Sequence, residues 1–398
     1  MNGVGKKPAV AALAITSLFV INAGVYALFA LFYCFVQLFL GTMHTPVEVG
    51  ALLSVGQVAA VISPLMFGIA ADKAKYKNTI LIITVAGSAV CYFAMTLSNS
   101  FIWHAVTIAA ALCFLAPSAT LTDTITLEYT YRNQLKYGTI RVMGTIAYGV
   151  IACVLSLFIK DDYSPVFIIY LIVAAASLIT LFVTPKVEGH ASKKKLSLAP
   201  LFKDKVLMWL FAFIAVANFG WAYYLNFFPS YLIGELGAPK WVWGLNVLLT
   251  VVGEIPFFLL FTGLFRRFGS KKLMFTAMLL TTFRYIMLAL FTAPSWLLFA
   301  GVITGVSISM SGYCASVYIT ENIPGELQAS AQTLMCALPA GVPKILAGIL
   351  GGVMTQTLGT KTSLFLCSAL GALAVIVYFF TLGRKSVEYH SADGVKLR

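Results

Sequence analysis

The chain is built largely from long apolar runs separated by short polar loops, and this pattern limits its fold more than any other feature. A bilayer core needs about 20 apolar helical residues to span it. Hydrophobic residues make up 60% of the chain and charged residues 10%, which excludes an ordinary soluble domain and a disordered chain. The pattern therefore predicts an all-α integral membrane protein with twelve transmembrane helices. The predicted spans are 10–40, 47–71, 79–97, 102–128, 137–159, 164–184, 206–233, 241–265, 272–292, 295–320, 328–357 and 361–383.

Lysines and arginines are distributed unevenly between the two sides of the membrane, because the loops between predicted spans lie alternately on one side and on the other. With the N-terminus in the cytoplasm, 21 loop and tail cations lie inside, and only Lys160, Lys240 and Lys361 lie outside. Cytoplasmic loops of membrane proteins carry such an excess of positive charge. We therefore predict a multi-pass protein of the cell (inner or cytoplasmic) membrane with both termini in the cytoplasm. Because the net charge of +13 reflects orientation, we expect no nucleic-acid partner.

The longest polar stretch divides the spans into two sets of six. We predict an N-terminal six-helix bundle over 1–185, a cytoplasmic linker over 186–205 and a C-terminal bundle over 206–398. Two short loops at corresponding places, Gly68–Lys77 and Gly263–Lys272, both begin with glycine and carry several cations. Their matching positions favour a duplicated unit, so the two bundles are predicted to be pseudo-symmetric.

Two six-helix halves joined in this way resemble the major facilitator superfamily over essentially the whole chain. Gly68, Asp72 and Lys73 resemble the glycine–aspartate–basic signature of that family, whose loop helps to hold a gate. The resemblance implies a gating role for Asp72, with Gly68, Lys73 and Gly263 as the other gating candidates. It also implies the major facilitator fold, in which a midplane cavity opens alternately to each side of the membrane.

Five ionisable residues remain inside the predicted spans after all loop residues are removed. An isolated charge at a helix centre costs about 2.5–3.5 kcal/mol on insertion scales. Such residues must therefore pair or face water, and they commonly mark solute and proton pathways. The five are Asp123, Arg141, Glu254, Arg284 and Lys344.

The spacing of four of these charges indicates which of them share a depth in the membrane. Asp123 and Arg141 lie nine residues either side of Arg132, in the loop between the fourth and fifth predicted spans. Glu254 and Arg284 lie fifteen residues either side of Gly269, in the turn between the eighth and ninth predicted spans. In an antiparallel hairpin, equal distance from the turn means similar depth. Each acid is thus expected to pair with its arginine. Two interpretations stay open: structural salt bridges that lock the hairpins, or a proton-coupled binding site.

A closer resemblance concerns the fifth predicted span. The segment Tyr137–Gly144 resembles the lactose permease and phenylpropionate transporter group, whereas residues 329–332 resemble nucleoside–proton symporters. The resemblance implies sugar-type contacts for Asp123 and Arg141. The subfamily remains open at this point.

The same resemblance implies roles for the remaining charges and for polar residues of the first and seventh spans. Lys344 matches a lysine whose acidic partner in the permease lies on the seventh helix, where this chain has Asn218. The candidates for substrate binding are Asp123, Arg141, Tyr26, Asn218 and Asn226, and those for proton coupling are Glu254, Arg284 and Lys344.

The predicted function is secondary active transport by alternating access, as proton-coupled symport (uptake) of a small polar organic solute such as a sugar, nucleoside or aromatic acid. A proton-coupled efflux antiporter for a lipophilic or drug-like substrate and a non-transporting membrane sensor are the alternatives. The sequence has no hydrolase or nucleotide-binding motif, so we do not expect an enzyme. We expect a monomer with no metal or cofactor, whose partners are the solute, the proton and the lipid bilayer.

Overall fold

The structure, a computed structural model, describes residues 8–159, 162–189, 199–291, 293–383, 389–390 and 396–397. It is helical almost throughout, as predicted. The helices are α1 (Pro8–Leu40), α2 (Pro46–Lys73), α3 (Lys77–Ala94), α4 (Phe101–Arg132), α5 (Tyr137–Phe158), α6 (Ser164–Val183), α7 (Ala199–Lys203), α8 (Lys205–Ser230), α9 (Lys240–Leu290), α10 (Pro294–Asn322), α11 (Gly325–Met335) and α12 (Val342–Tyr378). The shorter elements are a 3-10 turn (Met95–Leu97), three π-helical turns (Tyr231–Glu235, Cys336–Gly341 and Phe379–Gly383) and the antiparallel strands β1 (Tyr389–His390) and β2 (Lys396–Leu397).

Glycine breaks two of the long helices. Gly269 in α9 has φ 73° and ψ 161°, and Gly359 in α12 has φ 77° and ψ 160°. Backbone of this kind is essentially restricted to glycine, so each helix consists of two separate arms. Ten helices in the described part of the chain are long and apolar enough to cross a membrane, and the last, Gly325–Thr381, runs across Gly359. The count of twelve spans remains a prediction, which the two breaks support.

Two glycines predicted to open loops lie inside helices instead. Gly68 belongs to α2 and Gly263 to α9, and neither has a positive φ. No neighbouring atom of the described residues lies within 4 Å of the position that a Cβ would take at either glycine. The prediction that these glycines open the turns is therefore wrong. In the second loop the turn requires Gly269, because only that residue adopts the left-handed conformation.

The helices group into two compact units. The first comprises Met1–Met43 and Val55–Lys193, and the second comprises His44–Ser54 and Lys194–Arg398. The division falls within the predicted linker 186–205, whose central residues lie outside the described part of the chain. The first turns of α2 therefore group with the second half of the sequence.

A buried cluster of aromatic rings holds the first unit together. The ring centroid of Tyr92 on α3 lies 5.3 Å from Phe32 on α1, and 4.7 and 4.5 Å from Phe167 and Tyr170 on α6. Offset and tilted ring pairs at this distance contribute roughly 0.5–1.5 kcal/mol each beyond the area they bury. The cluster therefore fixes α1, which also packs along α4 and α5.

Close backbone contact joins the first arm of α9 to α10 in the second unit. A Cβ added at Gly301 would lie 2.7 Å from the carbonyl oxygen of Asn246, and Gly253 is similarly close to the carbonyl oxygen of Val302. Small residues at such places allow membrane helices to approach backbone to backbone. The contact positions Asn246 and the residues one and two turns after it on α9.

An aspartate caps the start of α8 and ties it to α10. The Oδ1 of Asp204 accepts hydrogen bonds from the backbone N–H groups of Val206 and Leu207 at 2.9 and 3.0 Å. The hydroxyl of Tyr318 donates to Asp204 Oδ2 at 3.0 Å. An N-terminal cap of this type satisfies otherwise unpaired N–H groups.

The first turns of α2 contact α12 within the second unit. The hydroxyl of Ser54 donates to the carbonyl oxygen of Ile345 at 2.8 Å. A Cβ at Gly50 would come within 3.2 Å of the Cα of Gly352. Glycine on both helices therefore permits this approach.

Replacing Gly359 with alanine should lower the melting temperature of the purified protein. A Cβ is strained at φ 77°, and such strain costs about 1–3 kcal/mol. Gly312→Ala on α10 is the matched control, because that glycine has no neighbour within 4 Å and no positive φ. Thermal melts in detergent measure both variants, and an equal loss of stability in the two would contradict this account of the helix break.

Candidate functional site

Asp123 on α4 and Arg141, four residues after the start of α5, form an ion pair between two membrane-spanning helices. Arg141 Nε lies 3.0 Å from Asp123 Oδ1, so the pairing predicted from their spacing is present. The arginine and aspartate side chains keep 28% and 33% of their surface exposed. The pair is therefore open on one side rather than sealed in the protein interior.

Tyr26 on α1 joins this pair through both its hydroxyl and its ring. Its hydroxyl donates to Asp123 Oδ2 at 3.0 Å, and the Arg141 guanidinium lies 3.8 Å from the ring centroid. An arginine over an aromatic face is attracted by the negative charge of the ring face. Gly144 makes room for the ring, because a Cβ there would lie 3.0 Å from Tyr26 Cγ.

Two polar side chains that the sequence reasoning missed complete the cluster. Thr145 and Tyr137 lie four residues after and before Arg141, and this spacing places all three on one face of α5. Arg141 Nη1 donates to Thr145 Oγ1 at 3.3 Å, and the Tyr137 hydroxyl lies close enough to Asp123 and Arg141 to interact electrostatically with both. The helical spacing around Arg141 was the signal that could have identified both.

A buried amide one turn from Tyr26 supports the cluster and was also missed. The Nδ2 of Asn22 donates to the Thr126 hydroxyl and to the Leu18 carbonyl oxygen, both at 2.8 Å. Asn22 is fully buried, and its Oδ1 has no hydrogen-bond partner among the described residues. The cross-helix hydrogen bond holds α1 against α4, so it helps to place Tyr26 beside Asp123.

The cluster can donate and accept hydrogen bonds at the same time. A guanidinium has five N–H donors, and Arg141 directs Nε at Asp123 and one Nη1 donor at Thr145. Asp123 Oδ1 is a buried atom that makes no hydrogen bond of proper geometry among the described residues, so the exposed part of this carboxylate lies elsewhere on the side chain. Charge-assisted donors and acceptors side by side suit neighbouring hydroxyl groups or the polar edge of a heterocycle.

Arg284, in the second arm of α9, has a different environment. Its side chain is almost fully buried, with 2% exposure, and Nη1 donates to Thr304 Oγ1 at 2.7 Å. Its guanidinium lies 4.3, 4.8 and 5.7 Å from the ring centroids of Tyr285, Tyr224 and Trp221. Arg284 Nε and the Tyr285 hydroxyl lack hydrogen-bond partners among the described residues. Aromatic faces therefore supply much of what stabilises this cation.

The ion pair predicted between Glu254 and Arg284 is not formed in the described part of the chain. Glu254 is partly exposed and has interactions of its own. A neighbouring network connects the two helix arms, since the Tyr224 hydroxyl beneath Arg284 donates to Asn246 Oδ1 at 2.6 Å. Thr304 and Asn246 are further polar residues that the sequence reasoning missed.

The three remaining candidates of the second unit do not form a cluster with one another. Asn218 Nδ2 donates to the carbonyl oxygen of Pro339, in the π-helical turn before α12, at 2.9 Å. Lys344 and Asn226 are both partly exposed, and neither makes a hydrogen bond or ion pair to another described residue. The amide of Asn218 therefore hydrogen-bonds to the turn that precedes Lys344 rather than to the lysine itself.

Two of the gating candidates, Asp72 and Lys73, lie at the end of α2, where a network of charges joins α2, α3 and α4. Asp72 Oδ1 is 3.8 Å from Lys77 Nζ, and Lys77 also pairs directly with Glu128. Arg132 Nη2 lies 3.8 Å from the second oxygen of Glu128. Lys73 is exposed and forms no ion pair with another described residue. Asp72 thus enters the network through Lys77, which the sequence reasoning did not select.

The segment after α6 is held against the same network. The backbone N–H of Lys77 donates to the Val187 carbonyl oxygen at 2.8 Å. The amide side chain of Asn78 donates to Pro185 O at 3.1 Å and accepts from Val187 N at 3.0 Å. These bonds anchor the end of the first unit to the start of α3.

Comparison with known proteins identifies the family to which the chain belongs. Residues 16–367 match the family model described as "MFS_1 like family". The chain is 25% identical over 313 residues to a Bacillus subtilis (strain 168) protein named "Uncharacterized transporter YwbF", covering 77% of each chain. It is 25% identical over 377 residues to the xanthosine permease of Escherichia coli (strain K12), covering 86% of this chain and 88% of the permease.

A solved structure has the same fold. The crystal structure of the nucleoside transporter NupG superposes with a TM-score of 0.82 at 17% identity, covering 94% of this chain and 100% of the other. The family match covers most of the sequence, and its members are major facilitator permeases. The chain therefore belongs to the MFS_1 like family and is a multi-span membrane transporter rather than an enzyme.

Proposed function

We propose that the protein is a proton-coupled symporter that takes up a small polar organic solute by alternating access. The observation that carries this proposal is the partly exposed Asp123–Arg141 pair, stacked on Tyr26 inside the membrane. Ionisable residues that stay accessible within membrane helices are typical of solute and proton pathways. Nucleosides are the first solutes to test, because a relative is named xanthosine permease, and sugars and aromatic acids follow.

The proposed location is the cell membrane, with both termini in the cytoplasm. The excess of cations in alternate loops supports this orientation. The proposed partners are the solute, the proton and the bilayer, and the proposed unit of transport is the monomer. The energy source is the proton gradient, so no cofactor takes part.

In the proposed site, Arg141 donates to solute hydroxyl or carbonyl oxygens and Asp123 accepts from solute O–H or N–H groups. Tyr26 fixes the relative positions of the two charged groups. Within the second unit, Asn226 and Asn218 are the proposed substrate-binding residues. Asn226 is the stronger of these two candidates, because its amide makes no hydrogen bond to another described residue, whereas Asn218 already donates to Pro339.

The proposed coupling residues are Glu254, Arg284 and Lys344. Glu254 is a carboxyl group well inside α9, and its partial exposure leaves it open to protonation. Lys344 is a cation that forms no ion pair with another described residue, and Arg284 is a cation held by aromatic rings. Two fixed positive charges in the same unit favour the ionised form of an acid once its proton has left.

The proposed gate includes Asp72 and its partner Lys77, with Lys73 as the neighbouring cation. The ion pair between Asp72 and Lys77 is long, at 3.8 Å, and about half of the Asp72 side chain is exposed, so this pair is proposed to open and reform during transport. Gly68, near the end of α2, and Gly263, in the first arm of α9, are proposed as small, unhindered helix positions, since no described neighbour contacts them.

Changing Tyr26 to phenylalanine should weaken solute binding by about 5- to 10-fold, because one hydrogen bond of roughly 1 kcal/mol to Asp123 is lost. Tyr26→Ala should cost more, since the ring under Arg141 disappears as well. Binding is measured by thermal shift and calorimetry with the best ligand from a panel of nucleosides, disaccharides and aromatic acids. Tyr131→Phe is the matched control, because Tyr131 is 85% exposed.

Equal affinities of wild type, Tyr26→Phe and Tyr26→Ala would remove Tyr26 from the solute site. If no member of the panel stabilises the wild-type protein, the proposed substrate class is wrong.

Glu254→Gln should abolish solute accumulation driven by a pH gradient in proteoliposomes while solute exchange continues. Glutamine keeps the size of the side chain but cannot carry the proton. In wild type, solute entry should acidify the lumen, as a dye trapped inside reports. Glu321→Gln, at the exposed end of α10, is the control and should accumulate solute normally.

Intact accumulation by Glu254→Gln would show that another group carries the proton. A lumen that becomes alkaline during solute entry would establish antiport and contradict symport.

A further inference from the structure

A groove of about 580 Å³ opens in the second unit where α9, α10 and the end of α12 meet. It lies away from all the residues assigned above to solute binding and proton coupling. Its walls are mainly apolar and include Leu264, Phe268, Leu273, Met310 and Phe379. The volume is in the range of about 300–1,000 Å³ that is typical of small-molecule sites.

The helix break at Gly269 separates the two parts of the groove. Phe268, at the end of the first arm of α9, is 42% exposed, and Phe379, just after α12, is 50% exposed. Leu273, in the second arm, is buried beneath them. The hydroxyl of Tyr378 donates to the carbonyl oxygen of Lys271 at 3.0 Å, so the end of α12 is fixed to the base of the groove.

Positive charge is concentrated at the same break. Lys271 and Lys272 line the groove, and the guanidinium of Arg267 lies 5.3 Å from the ring centroid of Phe268. None of these three cations forms an ion pair with a described residue. Lys271 is also partly buried, and a partly buried ammonium without a counter-charge is unfavourable. The groove therefore combines an apolar body with a cationic end that no described acidic residue neutralises.

We infer that this groove binds an anionic phospholipid. The headgroup phosphate would pair with Lys271 and Lys272, and an acyl chain would lie against Phe268, Met310 and Leu264. Cationic pockets between membrane helices are suited to anionic headgroups of the leaflet that they face. A soluble anion would use the two lysines but would leave the apolar walls uncovered, so the two features together select a lipid.

The test compares ligands that share one part of a phospholipid. Purified protein in detergent is titrated with phosphatidylglycerol, with phosphatidylcholine of the same chains, and with glycerol phosphate, and binding is followed by thermal shift and native mass spectrometry. Phosphatidylglycerol should bind and stabilise the protein. The zwitterionic lipid and the chain-free phosphate should bind at least about 10-fold more weakly.

Two variants separate the charged end from the apolar body. Lys271→Gln with Lys272→Gln should weaken phosphatidylglycerol binding by about 30-fold, at about fivefold per lysine. Thr276→Trp fills the groove without changing the charge and should weaken binding to a similar degree. Lys203→Gln with Lys205→Gln is the matched control, because both of these lysines are exposed and lie outside the groove.

Equal binding of phosphatidylglycerol and phosphatidylcholine would overturn the proposal, as would unchanged affinity in the double lysine variant. Binding of glycerol phosphate as strong as that of the lipid would show a soluble-phosphate site instead. Unchanged lipid affinity in Thr276→Trp would place the acyl chain outside this groove and would also overturn it.

Discussion

The ion pair between Asp123 and Arg141 is the interaction on which the polar centre of the first unit depends. A charge alone at a helix centre costs about 2.5–3.5 kcal/mol, and the pairing of these two residues offsets part of such a cost. The pair draws α4 and α5 together, and the ring and hydroxyl of Tyr26 bring in α1. The two side chains are not paired because they are sealed in the protein interior, since both remain about one third exposed. Accessible charge inside a membrane is what a polar solute requires.

In the second unit, the charged side chains of the membrane helices are stabilised in a different way. Arg284 is stabilised by the Thr304 hydroxyl and by aromatic faces, and Lys344 forms no ion pair with a described residue. This contrast supports separate tasks, with solute recognition centred in the first unit and proton handling in the second.

Much of this arrangement follows from sequence, and the failures have a common physical cause. Counting residues from a turn fixes the depth of a side chain, and it correctly predicted that Asp123 and Arg141 meet. The same count failed for Glu254 and Arg284, because depth leaves the rotation about each helix axis undetermined, and each residue turns the helix by about 100°. Neutral side chains such as Asn22 and Thr304 were missed, since uncharged polar residues are common in membrane helices.

The most direct test of this account removes both charges of the central pair. The Asp123→Asn, Arg141→Gln double variant contains no uncompensated charge, so it should fold with a melting temperature close to that of wild type. It should nevertheless lose solute affinity by about 10-fold or more, because charge-assisted hydrogen bonds of roughly 1.5–3 kcal/mol are lost, and transport into proteoliposomes should fall with it. Solute binding and uptake at wild-type levels in this variant would show that the pair only locks α4 to α5, and would contradict its assignment as the solute site.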